Sequence, residues 1–276
     1  MKNMSAADDA ADARRAIYRA KLTMLDLFVG ASVLAILLTR IALEVLGYPQ
    51  IGGNGLHIAH MLWGGLVMLA SLLYLLLTEH PRRYPASVVG GIGFGLYIDE
   101  IGKFVTSDNN YFFKPTAFLI YMSLLVLWVC IRFIVVRRYK GQFFSDATWP
   151  LKRHQRLLIW AYVAFHIVTG IISVATALFR GADIFDVTSS LRDYLAAVIA
   201  VVTIMFVVGI IQYRRGQRTV SASTIRGGAF ISAVGIYPFT FYNEQFTAAI
   251  GCLVTLLVVI GLSEVSLRGL FSSVRT

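Results

Sequence analysis

Charge is scarce in this chain, and negative charge is scarcer still. Of its 276 residues only 14% are charged, with 15 Asp and Glu against 25 Lys and Arg. With 57% hydrophobic residues and a mean hydropathy of +0.70, so little charge excludes a soluble domain of this length. It fits a polytopic membrane protein instead. Cysteine is nearly missing, and Cys130 and Cys252 both fall inside apolar runs. That excludes a disulfide framework and reads as two small buried hydrophobes. No Gly-x-Ser-x-Gly nucleophile elbow and no His-Glu-x-x-His zinc motif occurs. The formal charge of +10 does not mark a nucleic-acid binder, because the basic residues sit in short clusters between apolar runs, as topology signals do.

What is present is a series of eight apolar runs, at about 24–46, 57–78, 87–105, 117–136, 157–179, 194–212, 227–242 and 246–265. Each approaches the roughly 20 residues that cross a bilayer, so the fold class is an all-α transmembrane bundle of about eight helices. The first run is too long for a signal-peptide core. Residues 1–22 therefore read as a cytoplasmic tail and 23–276 as a single transmembrane domain. Gly and Pro clusters mark the joints, as in His-Pro-Arg-Arg-Tyr-Pro after the second run.

Lys and Arg fall almost entirely on one side. The N-terminal tail, the loops at 79–86, 137–156 and 213–226 and the C-terminus hold nearly all of them. The other side has Lys114, Arg180 and Arg192. Both termini are therefore expected in the cytoplasm, and the basic loops are expected to touch anionic lipid. A faint echo links the second and third runs, with Gly90 and Gly91, to the sixth and seventh, with Gly227 and Gly228. A four-plus-four repeat would explain it, and so would the general likeness of hydrophobic hairpins.

The stretch from Gly90 to Pro115 carries the chemistry. It sets Asp99, Glu100 and Lys103 inside an apolar run and leaves through Asp108 and Asn109 to an aromatic, basic cluster ending at Lys114. At the same depth, the first run carries Arg40 and Glu44, and the second opens with His57 and His60. Ionisable groups inside an apolar span are expensive and need partners. Asp99, Glu100 and Lys103 are the candidates for acid–base work. His57, His60, Asp99 and Glu44 are the candidate ligands of a divalent metal such as Zn or Mn. Arg40, Asp108, Asn109 and Lys114 would line the same pocket.

Three functions fit. One is a metal-dependent membrane enzyme acting on a lipid or small amphiphile, open to the outer face. The second is a transporter or channel whose acids bind a cation or a proton, and the third is a non-catalytic assembly subunit. The expected partners are membrane lipids and a lipid or small-molecule substrate, with no nucleic acid. A bland alternative makes the charges intrahelical pairs, Arg40 with Glu44 and Lys103 with Asp99 or Glu100, and the histidines mere packing residues. Elsewhere, Gly91 and Gly95 form a small-xxx-small face for close helix packing. His166 reads as a core histidine, and Tyr111, Phe112 and Phe113 as an interfacial aromatic belt.

The run GGIGFGLYIDEIGKFVTSDNNYFFKP, residues 90–115, resembles a segment of a group of bacterial multi-pass membrane proteins of uncharacterised activity. Histidines opening the preceding helix, as His57 and His60 do here, are part of that resemblance, which covers about 57–120. It implies a multi-pass protein of the bacterial inner membrane and points to the same residues, without supplying a reaction.

Overall fold

The computed structural model describes residues 6–47, 59–108, 113, 115–139, 149, 153–179 and 187–262. Among them the chain is all-helical. It forms two compact units, Met1–Phe143 and Phe144–Thr276. Five of the described helices are long and apolar enough to cross a membrane.

The first unit holds α1 (Ala6–Leu46), α2 (His60–Leu77), α3 (Arg83–Ile98), α4 (Ile101–Val105) and α5 (Thr116–Tyr139), of which α1, α2 and α5 are of spanning length. The tail expected before residue 22 is helical over its described part. From Ala6 onward it is continuous with the first run, because its Ala-rich sequence contains no helix breaker. Helix α2 exposes Leu62, Leu66, Leu69, Leu72, Leu73, Leu76 and Leu77. So large an apolar face suits lipid, not water. Cys130, read as buried, is exposed on α5, where a bilayer would cover it.

Helix α3 packs against both α1 and α2, and its glycines set the distance. A Cβ on Gly91 would overlap the Phe28 carbonyl, and one on Gly95 the Ser32 carbonyl, both on α1. On the other side a Cβ on Gly93 would meet Gly64 O and Met68 N of α2 at 2.7 Å. Only hydrogen fits at these backbone-to-backbone approaches. Ser71 Oγ of α2 adds a bond of 2.8 Å to Ala86 O.

The third apolar run is not one helix. Asp99 N still donates to Gly95 O (3.1 Å), but Lys103 N donates to Glu100 O (2.9 Å). The Asp99 carbonyl thereby drops out of the helical ladder, and α4 restarts at Ile101.

The second unit holds α6 (Arg153–Phe179), α7 (Val187–Arg214), α8 (Arg218–Gly235), α9 (Tyr237–Glu244), a 3₁₀ turn at Gln245–Thr247 and α10 (Ala248–Gly261). Helices α6 and α7 are of spanning length. Gly216, at φ +80°, turns α7 into α8. Phe206 of α7 and Ile225 of α8, both fully buried, anchor the core with Ile159 and Val163 of α6 and Val258 of α10. The seventh apolar run is also divided, after Gly235. Pro238 cannot donate to the carbonyl four residues back, and Phe239 N and Thr240 N both turn to Ile236 O (3.1 and 3.2 Å).

Candidate functional site

The break after α3 delivers two carboxylates to neighbouring helices. Asp99 is 0% exposed and Glu100 1%, so neither is solvated by bulk water. A buried carboxylate must find donors inside the protein. Arg40, one helical turn before the exposed Glu44 on α1, supplies them for Asp99. Its Nε donates to Asp99 Oδ1 at 2.7 Å, and its Nη2 to the freed Asp99 carbonyl at 2.8 Å.

His60, the first residue of α2, bridges the two acids. Its Nε2 lies 3.1 Å from Asp99 Oδ2 and its Nδ1 3.0 Å from Glu100 Oε1. Lys103 Nζ donates to the same Glu100 Oε1 at 3.0 Å. Glu100 Oε2 is buried and has no hydrogen-bond partner among the described residues. The cluster thus contains two carboxylates, a guanidinium, an ammonium and an imidazole. With Asp99 and Glu100 ionised and Arg40 and Lys103 charged it is neutral when His60 is neutral.

That arrangement restricts what His60 can do. A neutral imidazole has one N–H, yet both ring nitrogens face carboxylate oxygens. Either the ring carries two protons or one of the acids is protonated. In neither case does His60 offer a lone pair to a metal while both contacts stand. Among the described residues, no group of three or more His, Cys, Asp and Glu is arranged to hold a metal ion.

Of the residues singled out in the sequence, the structure brings together Arg40, His60, Asp99, Glu100 and Lys103. Glu44 and Asp108 are exposed, and among the described residues no ion pair joins them to this cluster. Arg40 reaches across to the end of α3, and among the described residues no ion pair joins it to Glu44 on its own helix. The Lys103–Glu100 contact is local, three residues apart, and joins the break to α4. His57, Asn109 and Lys114 lie outside the described residues, as do Tyr111 and Phe112.

Two polar clusters are additional to those residues. Asp26 of α1 accepts Trp128 Nε1–H at 2.8 Å and Arg132 Nη1–H at 3.2 Å, both from α5. The Arg132 guanidinium also lies 4.8 Å from the Trp128 ring centre. The signal for this pair is a charge inside an apolar run, the same signal that marks Asp99. In the second unit, Thr255 Oγ1 of α10 lies 2.9 Å from Tyr237 Oη and 3.1 Å from Tyr162 Oη. No periodicity links Tyr162, Tyr237 and Thr255. His166 stays with the aromatic core. Its ring lies 5.7 Å from Phe206, edge to face, and its Nδ1 is 3.1 Å from Tyr162 O. Comparison with protein-family models, with curated proteins and with solved structures finds no match for this chain.

Proposed function

We propose that this is a proton-coupled transporter or channel of the bacterial inner membrane, with Arg40, His60, Asp99, Glu100 and Lys103 as its proton-binding site. One observation carries the reading: His60 touches Asp99 with one nitrogen and Glu100 with the other. A proton can then be gained or lost within a fixed hydrogen-bond frame. Glu100 Oε2, buried and without a partner among the described residues, is where we assign the exchanging proton. Oε1 keeps its bonds to His60 and Lys103 in either state.

The wider architecture agrees with this assignment. In transporters, ion sites gather where spanning helices are interrupted and carbonyls leave the ladder, as the Asp99 carbonyl does here. The third apolar run of each unit is interrupted, α3 from α4 and α8 from α9. This supports the four-plus-four repeat and a total of about eight spans. The Lys and Arg distribution supports cytoplasmic termini, which sets the proton site towards the outer face. A metal-dependent enzyme is the weaker reading, since it would need ligands other than His60.

The test needs no knowledge of the solute. Proteoliposomes on a solid-supported membrane are given a pH jump, and the transient charge displacement is recorded. Wild-type protein gives a displacement that Glu100→Gln abolishes and the exposed control Asp108→Asn leaves intact. A wild-type signal no larger than that of empty liposomes, or one indifferent to Glu100→Gln, overturns the proposal.

A further inference from the structure

The second unit contains an aromatic and basic corner that the proton site does not use. Trp149 stacks on Trp160 with ring centres 4.9 Å apart and planes at 22°. Tyr213 meets both rings edge-on, at 4.7 and 4.9 Å. The Arg218 guanidinium sits 3.5 Å above the Tyr213 ring. These side chains come from just before α6, from α6 itself, from the last turn of α7 and from the start of α8. The turn at Gly216 brings the last two together.

Arg153, Arg214, Arg215 and Arg218 are exposed at this corner. Among the described residues no ion pair joins them to an acid. The sequence supplies the reason: residues 147–182 and 194–243 contain no Asp or Glu. The indole Nε1 of Trp149 is buried and has no acceptor among the described residues. Exposed apolar side chains continue along the same helices, Leu157 and Leu158 on α6, Ile211 on α7 and Val220 on α8.

We propose that this corner binds the headgroup phosphate of an anionic phospholipid, whose acyl chains lie along the exposed apolar side chains beside it. Guanidinium groups match phosphate oxygens in a fork geometry. Trp and Tyr settle at the headgroup level of a bilayer, and clustered Arg beside a membrane attracts anionic lipid. A free phosphate would use the arginines and leave the apolar shelf idle. A lipid uses both.

Native mass spectrometry of the full chain, released from micelles containing equal phosphatidylglycerol and phosphatidylcholine, tests the proposal. Wild-type protein retains phosphatidylglycerol in preference. The triple variant Arg214→Gln, Arg215→Gln, Arg218→Gln binds it on the order of 100-fold more weakly, at about fivefold per arginine. Arg14→Gln with Arg15→Gln, an exposed basic pair on α1, leaves retention unchanged. Equal retention of the two lipids, a triple variant that matches wild type, or displacement by millimolar inorganic phosphate overturns it. Should the triple variant fail to fold, brominated lipids decide on the unmodified protein. Quenching of tryptophan fluorescence by brominated phosphatidylglycerol beyond that by brominated phosphatidylcholine supports the site, and equal quenching removes it.

Discussion

Arg40 holds Asp99 twice, by its carboxylate at 2.7 Å and by its main-chain carbonyl at 2.8 Å. The second bond exists only because the helix breaks at that residue and frees the carbonyl. One side chain thus satisfies both the charge and the backbone defect, and it ties α1 to the interrupted end of α3.

Removing that side chain should therefore be severe. Arg40→Met leaves a fully buried carboxylate short of its main donor, a change that costs about 3–5 kcal/mol when a buried pair is broken. Thermal unfolding of detergent-solubilised protein should reveal it. Arg40→Met combined with Asp99→Asn should recover much of the loss. Arg40→Lys should fall between, because an ammonium keeps the charge but cannot fork to both oxygens. A single Arg40→Met as stable as wild type would mean that the pair contributes nothing.

The glycines of α3 give a second, purely steric test. Gly91→Ala and Gly95→Ala drive a methyl into the α1 carbonyls of Phe28 and Ser32, and backbone cannot yield as a side-chain tip can. Each should destabilise by about 1–3 kcal/mol or more. Gly30→Ala and Gly65→Ala meet open space within helices and should be neutral or stabilising by about 0.5–1 kcal/mol. If all four behave alike, α3 is not seated as closely as described.

The Asp26 cluster predicts an asymmetry between its donors. Asp26→Ala removes the carboxylate that the Arg132 guanidinium, 6% exposed, donates to, and should cost about 3–5 kcal/mol. Trp128→Phe loses one hydrogen bond to a charged acceptor, worth about 1.5–3 kcal/mol, and keeps a ring beneath Arg132. Unfolding midpoints of the two variants, measured side by side, check the order.

Much of this was legible in the chain, for a physical reason. Water is not available to a carboxylate inside an apolar run, so Asp99 and Glu100 announce that partners must exist. Their equal depth with Arg40 and His60 narrows which ones. The helix break was not legible from Asp99 and Glu100 themselves, since neither residue breaks helices, whereas Pro238 marks its counterpart openly. Depth also says nothing about azimuth. Arg40 and Glu44 share one face at a spacing of four, yet Arg40 engages α3 while Glu44 stays exposed. The Tyr162, Tyr237 and Thr255 contacts were hidden altogether, because hydroxyls are common in apolar helices and bond to their own backbone.

That hydroxyl cluster yields the last prediction. Thr255 Oγ1 lies 2.9 Å from Gly251 O as well as within 3.1 Å of both tyrosine hydroxyls. It has a single proton to donate, so at least one tyrosine must donate to it. Tyr237 Oη has no other hydrogen-bond partner among the described residues, and Tyr237 is 8% exposed. Thr255→Val keeps the shape of the side chain and removes the acceptor, stranding the Tyr237 hydroxyl at a cost of about 1–3 kcal/mol. Tyr237→Phe in that background removes the stranded group, so the double variant should be more stable than Thr255→Val alone. Tyr237→Phe by itself should cost only about 0.5–1.5 kcal/mol, the net worth of one hydrogen bond. If the two changes add without coupling, the hydroxyls do not bond to each other and the contact between α9 and α10 rests on apolar packing.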